Sequence, residues 1–172
     1  METQRPLKLY LDTSVISHID APHKPFEEAA TLAFYKFLES YPGDLELCIS
    51  PITIVELEAC SEPKKTKLFS FLGERDVTVF PESSEVERLV DKYLENDVLG
   101  VKHYRDLTHI AYAVVQSCDF ILSWNFRHFV NPRTIQRVNT VNRFNDYPAV
   151  TIVSPSTLQE ILTNEYLRHQ FE

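Results

Sequence analysis

The 172-residue chain reads as an α/β protein, a three-layer α/β/α sandwich built on a mostly parallel sheet. Three observations predict this. Short apolar runs alternate with amphipathic helical stretches along the chain, the pattern of parallel strands joined by helical crossovers. Four acidic or amide side chains, Asp12, Glu56, Asp106 and Asn125, fall where an apolar run ends or the next helix begins. In an open parallel sheet those points meet in a crevice at the carboxyl ends of the strands. Finally, 44% hydrophobic and 24% charged residues fit one globular domain able to bury a real core, here residues 1–172 with a core of about 7–162.

Leu7 to Leu11 is an apolar run interrupted by Lys8 and followed at once by Asp12-Thr13-Ser14, which predicts a strand ending in a polar turn. Phe26, Ala29, Ala30, Ala33, Phe34, Phe37 and Leu38 recur at three- and four-residue steps, so a helix is expected over 25–39, ended by Tyr41-Pro42-Gly43. A second strand is read over 45–50, after which Pro51 and Thr53 open a helix with Glu56 near its first turn. Residues 63–73 suggest another helix, and 77–80 a short strand. Ser83 or Ser84 caps the helix carrying Val86, Leu89, Val90, Tyr93 and Leu94, with Glu87 available for a capping box on Ser84. Asp106 opens or nearly opens a helix whose apolar face is Leu107, Ile110, Ala111, Val114 and Val115. Strands follow at 120–123 and 149–153, and Ser156 caps a terminal helix running through Leu162. Trp124, Phe126 and Phe129 are assigned to the core, with Trp124 also considered as a platform for a stacked base.

Several classes are excluded. Gly43, Gly73 and Gly100 are too scattered for a dinucleotide-binding turn or a phosphate-cradling loop, and no Gly-x-Ser-x-Gly elbow surrounds a serine. Cys48, Cys60 and Cys118 show no paired spacing, so they read as buried thiols in a reducing compartment. No apolar stretch reaches the roughly 18 residues of a membrane span, and the expectation is a soluble, cytoplasmic protein. A net charge of -8 opposes broad nucleic-acid binding. The distribution softens that objection: residues 120–145 hold no Asp or Glu but include Arg127, Arg133, Arg137 and Arg143. That stretch is read either as an ordinary solvated face or as a local basic track.

Carboxylates forced into one small crevice repel, and a hard divalent cation held through oxygen is the simplest balance for their charge. Mg²⁺ or Mn²⁺ is therefore the expected ion. Read from the residues alone, each acid keeps a second role open. Asp12 and Asp106 can serve as helix caps, and Glu56 as a solvated first-turn glutamate favoured by the helix dipole. Asp119 stands apart, because it precedes its strand and so lies roughly 20 Å from Asn125 at the strand's other end. His109, three residues after Asp106, is read as a packed or hydrogen-bonded side chain and not as a ligand.

Four segments taken in order, Leu-Asp-Thr-Ser-Val (11–15), Thr-Ile-Val-Glu-Leu (53–57), Arg-Asp-Leu-Thr-His-Ile-Ala-Tyr-Ala (105–113) and Ile-Leu-Ser-Trp-Asn-Phe-Arg-His-Phe (121–129), resemble the PIN domains of VapC-type toxins. The resemblance implies a metal-dependent endoribonuclease acting on single-stranded RNA, with Asp12, Glu56 and Asp106 as metal ligands and Asn125 completing the catalytic set. Thr13, Ser14 and Ser123 would orient waters or phosphate oxygens around them. Many PIN domains carry an Asp two residues after a Thr at the fourth position, whereas this chain has Ser123-Trp124-Asn125. One negative charge is thereby withheld, and weaker binding of a second metal is expected. Arg127, Arg133 and Arg137 are the candidate RNA contacts. The resemblance also implies a small antitoxin partner and a homodimer. The rival reading is a PIN-fold RNA- or protein-binding module with little or no cleavage. An aspartyl phosphatase is opposed by Asp12-Thr13-Ser14, which lacks the second Asp of an Asp-x-Asp nucleophile motif.

Overall fold

The first strand, β1 (Leu7–Leu11), alternates its side chains between two cores and in doing so defines the layers. Leu9 and Leu11 pack into one apolar cluster and Tyr10 into the other. The computed structural model of the chain describes residues 5–171, with side chains through residue 166. After β1 come α1 (Thr13–Ser17), a 3₁₀ turn (His18–Asp20), α2 (Pro25–Ser40), β2 (Leu45–Ile49), α3 (Pro51–Glu58), α4 (Lys64–Gly73) and β3 (Val77–Val79). The second half runs α5 (Ser84–Glu95), a 3₁₀ turn (Val101–His103), α6 (Tyr104–Val115), β4 (Phe120–Leu122), α7 (Pro132–Phe144), β5 (Thr151–Val153) and α8 (Pro155–Phe171).

The five strands form one parallel sheet in the order β3-β2-β1-β4-β5. Helices α5, α6 and α7 bury Val90, Tyr93, Leu107, Ile110 and Val138 on the face that holds Tyr10, Cys48, Ile121 and Ile152. The opposite face carries Leu9, Leu11, Ile49 and Leu122 under Phe34, Leu57, Leu68 and Leu158 from α2, α3, α4 and α8. Central strands buried on both faces need continuous apolar runs, which is why β1, β2 and β4 are near-uniformly hydrophobic. From β1 the chain steps outward through β2 to β3 and later returns to the other side through β4 to β5. The boundary between β1 and β4 is therefore the topological switch point, where a crevice opens at the strand ends. Asp12 follows β1 there, and Ser123 follows β4.

Local chemistry explains most elements. Pro25 and Pro51 occupy the first positions of α2 and α3, and the Ser83 hydroxyl caps α5 by accepting from the Glu85 N–H. Ser83, not Ser84, is thus the cap. Four readings of the sequence are corrected. Glu56, expected near the first turn of its helix, stands in the last turn of α3. Ser154, not Ser156, caps α8, its Oγ accepting the Thr157 N–H at 3.2 Å, because Pro155 already opens the helix. Residues 132–144, with no helix assigned, form α7, capped by the Asn131 side chain and opened by Pro132. Phe126, assigned to the core, is 55% exposed, because it lies on the irregular segment after β4; Phe129 and Trp124 are buried as expected. Trp124 is held by a 2.8 Å hydrogen bond from its indole N–H to Thr31 Oγ1. Cys48, Cys60 and Cys118 are free thiols. Among the described residues no helix is long and apolar enough to cross a membrane.

Candidate active site

Asp12 occupies the N-cap position of α1, yet its side chain makes no capping bond to the helix. Its Oδ2 instead accepts from Ser14 Oγ at 2.6 Å and from Ser123 Oγ at 2.7 Å. Both hydroxyls accept backbone N–H groups, Ser14 from Trp124 and Ser123 from Asn125, each at 2.9 Å. With their lone pairs so engaged, both direct their protons at Asp12. A buried carboxylate is costly unless hydrogen-bonded, and these donors supply that compensation while tying β1 to the end of β4.

Glu56 projects from α3. Its Oε2 accepts from Thr13 Oγ1 and lies 3.0 Å from His109 Nε2. Burial alone would raise this carboxyl, but the hydrogen bond and charge of His109, the Thr13 hydroxyl and the Arg105 charge outweigh it and hold Glu56 below the usual range. His109, on α6 and 1% exposed, places Nδ1 at 2.7 Å from the Tyr10 hydroxyl, which is itself 2.7 Å from Ser50 Oγ. Burial pushes the Tyr10 hydroxyl far up, so it stays a proton donor. A carboxylate only accepts, which assigns a proton to His109 Nε2, and Nδ1 shares the other hydrogen bond with the Tyr10 hydroxyl. The resulting chain, Ser50 to Tyr10 to His109 to Glu56, runs through the core.

Asp106 stands in the first turn of α6, where the helix dipole favours negative charge. Its Oδ2 lies 2.9 Å from His128 Nδ1 and 3.5 Å from His103 Nδ1. Burial raises its carboxyl; His128 opposes that, and the neighbouring Asp12 charge adds to it, with a net upward shift. Asn125, in the loop after β4, accepts the His128 N–H on Oδ1 at 2.9 Å and brings Nδ2 to 3.4 Å from His128 Nδ1.

The three acids share one pattern. Asp12 and Glu56 each have one oxygen fixed by two protein donors, and one oxygen of Asp106 faces two histidines. Among the described residues, Asp12 Oδ1, Glu56 Oε1 and Asp106 Oδ1 have no hydrogen-bond partner, apart from His109 standing 3.8 Å from Asp12 Oδ1. Carboxylates oriented through one oxygen with the other left over are the donor set of a hard divalent cation, and the upward push of Asp12 on Asp106 is the repulsion such an ion relieves. By donor type alone, Asp12, Glu56 and Asp106 suit an Mg²⁺ or Mn²⁺ ion. Among the described residues, the group whose ligand atoms lie mutually within 4.8 Å is His103, Asp106 and His128, without Asp12 or Glu56.

Thr13, Ser14 and Ser123 all contact the acids directly. Of the candidate RNA contacts, Arg127 and Arg133 are exposed, while the Arg137 guanidinium is bound to the Asp97 carbonyl. Asp119 lies at the amino edge of the sheet, in a two-point ion pair with Arg5 and accepting the Lys8 N–H at 2.8 Å. Sequence reasoning missed three contributors: His109 as the partner of Glu56, and His103 and His128 as the partners of Asp106. The one local signal is that His103 and Asp106 are three residues apart at the start of a helix.

A parallel sheet ordered 3-2-1-4-5 and flanked by helices is a PIN-like fold. Solved structures similar over most of the chain bear this out. VapBC2 from Rickettsia felis, bound to a DNA fragment from its promoter, matches with a TM-score of 0.56 at 15% identity, covering 86% of this chain and 98% of that one. VapBC-1 from nontypeable Haemophilus influenzae matches with a TM-score of 0.54 at 14% identity over 87% and 98%. VapC20 of Mycobacterium tuberculosis, a toxin that cleaves the sarcin-ricin loop, matches with a TM-score of 0.51 at 12% identity over 66% and 86%. No protein-family model and no curated protein matches the sequence.

Proposed function

We propose that this chain is an Mg²⁺- or Mn²⁺-dependent endoribonuclease of single-stranded RNA, a cytoplasmic toxin of a VapBC-type pair held by a small antitoxin and forming a homodimer. The observation that carries this is the orientation of Asp12 and Glu56 through one oxygen each, with the other oxygen, and Asp106 Oδ1, left without a protein partner. Asp12, Glu56 and Asp106 would hold the ion. When bound, it supplies Lewis acidity, activating water near neutral pH and offsetting the charge that builds on the phosphodiester. Ser14 and Ser123 keep Asp12 aimed, and Thr13 and His109 keep Glu56 ionised and aimed. Asn125 completes the set by anchoring the backbone of His128, whose ring faces Asp106. Arg127 and Arg133 would neutralise backbone phosphates at the rim.

A metal's share of the transition-state stabilisation is several kcal/mol, so Asp12→Asn should slow metal-dependent cleavage of an unstructured RNA by at least about a hundredfold. Cleavage that persists in chelator, or that survives this substitution in a folded protein, overturns the proposal. One observation favours a second reading, a binding module with weak or no cleavage. Position 125 offers an amide whose oxygen is already engaged by the His128 N–H, so the site lacks a fourth carboxylate there. RNA bound without cleavage at any divalent concentration selects that reading.

A further inference from the structure

We infer that His103, Asp106 and His128 form a binding site for a nitrogen-preferring transition ion of the Zn²⁺ or Co²⁺ class. Two elements converge to make it. His103, at the N-cap position of α6, and Asp106, one turn on, share a helix face, and the loop after β4 delivers His128 opposite them. One donor atom from each of the three lies within 4.8 Å of the others. Zn–N and Zn–O bonds of about 2.0–2.1 Å put neighbouring tetrahedral ligands roughly 3.3 Å apart. The observed Nδ1 to Oδ2 separations, 3.5 Å for His103 and 2.9 Å for His128, bracket that value.

The histidine pair is not explained by aromatic packing. The ring centroids are 3.9 Å apart with planes inclined at 52°, neither an offset stack nor an edge-to-face pair. What the rings share is a target, since both aim Nδ1 at the same Asp106 oxygen. The loop that carries His128 is anchored, the backbone N–H of His128 donating to Asn125 Oδ1 at 2.9 Å. The three side chains are 20%, 24% and 23% exposed, which gives an ion a route from solvent. Two imidazoles and one carboxylate favour Zn²⁺, Co²⁺ or Ni²⁺ over the oxygen-seeking Mg²⁺. Sharing Asp106 makes this site a neighbour of the proposed acid set, but the assignment stands whether or not the chain cleaves RNA.

The test is titration of the tag-free, chelator-treated chain with Co²⁺, read by its visible d–d absorption, followed by displacement with Zn²⁺. The wild type should saturate at one equivalent. Losing a ligand costs at least as much as losing a partner behind one, so His103→Gln and His128→Gln should each weaken binding by at least about tenfold. Asp119→Asn, at the opposite edge of the sheet, should leave the spectrum unchanged. Imidazole nitrogen resonances of the wild type provide the check that needs no variant: Zn²⁺ should shift Nδ1 of both His103 and His128. A missing Co²⁺ band, or a band that survives in both histidine variants, overturns the assignment, as do Nδ1 resonances that do not move.

Discussion

His109 and Glu56, 53 positions apart, meet with Nε2 at 3.0 Å from Oε2, and the other nitrogen of the same ring lies 2.7 Å from the Tyr10 hydroxyl. A residue three positions after Asp106 therefore serves Glu56 and not its own helix neighbour. The geometry makes His109 a positioning residue, fully enclosed and joined to the sheet through Tyr10.

His109→Ala removes one of the two partners of the Tyr10 hydroxyl, leaving Ser50, and a lost buried hydrogen bond costs about 0.5–1.5 kcal/mol. Urea unfolding should show a loss of that size. Burial would then act on Glu56 with less opposition, so its carboxyl should titrate higher than in the wild type, read from side-chain carbon shifts. An unmoved Glu56 would show that Thr13 and Arg105 suffice to hold it.

Asp119 is read by stability against pH. Burial raises its carboxyl, but the Arg5 guanidinium and the Lys8 N–H outweigh that and lower it in the folded state. A depressed folded value contributes stability that is present above the unfolded aspartate value and lost as pH falls through the folded one. Asp119→Asn should therefore lower the thermal midpoint by a few degrees at neutral pH and by less in acid, since exposed pairs are screened. A midpoint difference that is the same at both pH values would place its role outside this ion pair.

Asn125→Asp tests the missing charge. The new carboxylate retains the acceptor for the His128 N–H and adds a negative charge beside the ring that faces Asp106. Mn²⁺ affinity measured by calorimetry should rise roughly fivefold, on the order of 1 kcal/mol through a partly screened field. Unchanged affinity in a folded variant would mean that residue 125 acts only on the loop.

What was legible in the sequence followed from local pattern. β1, β2 and β4 are apolar because central strands are buried on both faces, and that run stops where Asp12 and Ser123 begin. Helix α7 was opaque because its buried face mixes Thr134 and Asn142 with Val138 and Val141, and its remaining positions are rich in Asn, Thr and Arg. Its polar core positions are satisfied only in three dimensions, Asn142 by the Tyr93 hydroxyl at 2.6 Å and by the Pro148 carbonyl. The histidines around the acids were hidden for the same reason. His109 reaches Tyr10 across 99 positions, and His128 meets Asp106 only because the loop after β4 folds back over α6.

The arginines of the segment after β4 separate into two roles that salt can distinguish. Each phosphate contact to a single strand contributes about 0.7 to the slope of log affinity against log salt. Arg127 and Arg133 are exposed and free to make such contacts, so Arg127→Gln and Arg133→Gln should each reduce the slope by about that amount while the fold is unchanged. Arg137 is half-buried with its guanidinium on the Asp97 carbonyl, linking α7 to the loop after α5. Arg137→Gln should therefore lower the unfolding midpoint and leave the salt slope as it was. If all three variants keep both affinity and slope, the segment is not the RNA track, and its arginines are better tested against an acidic protein partner.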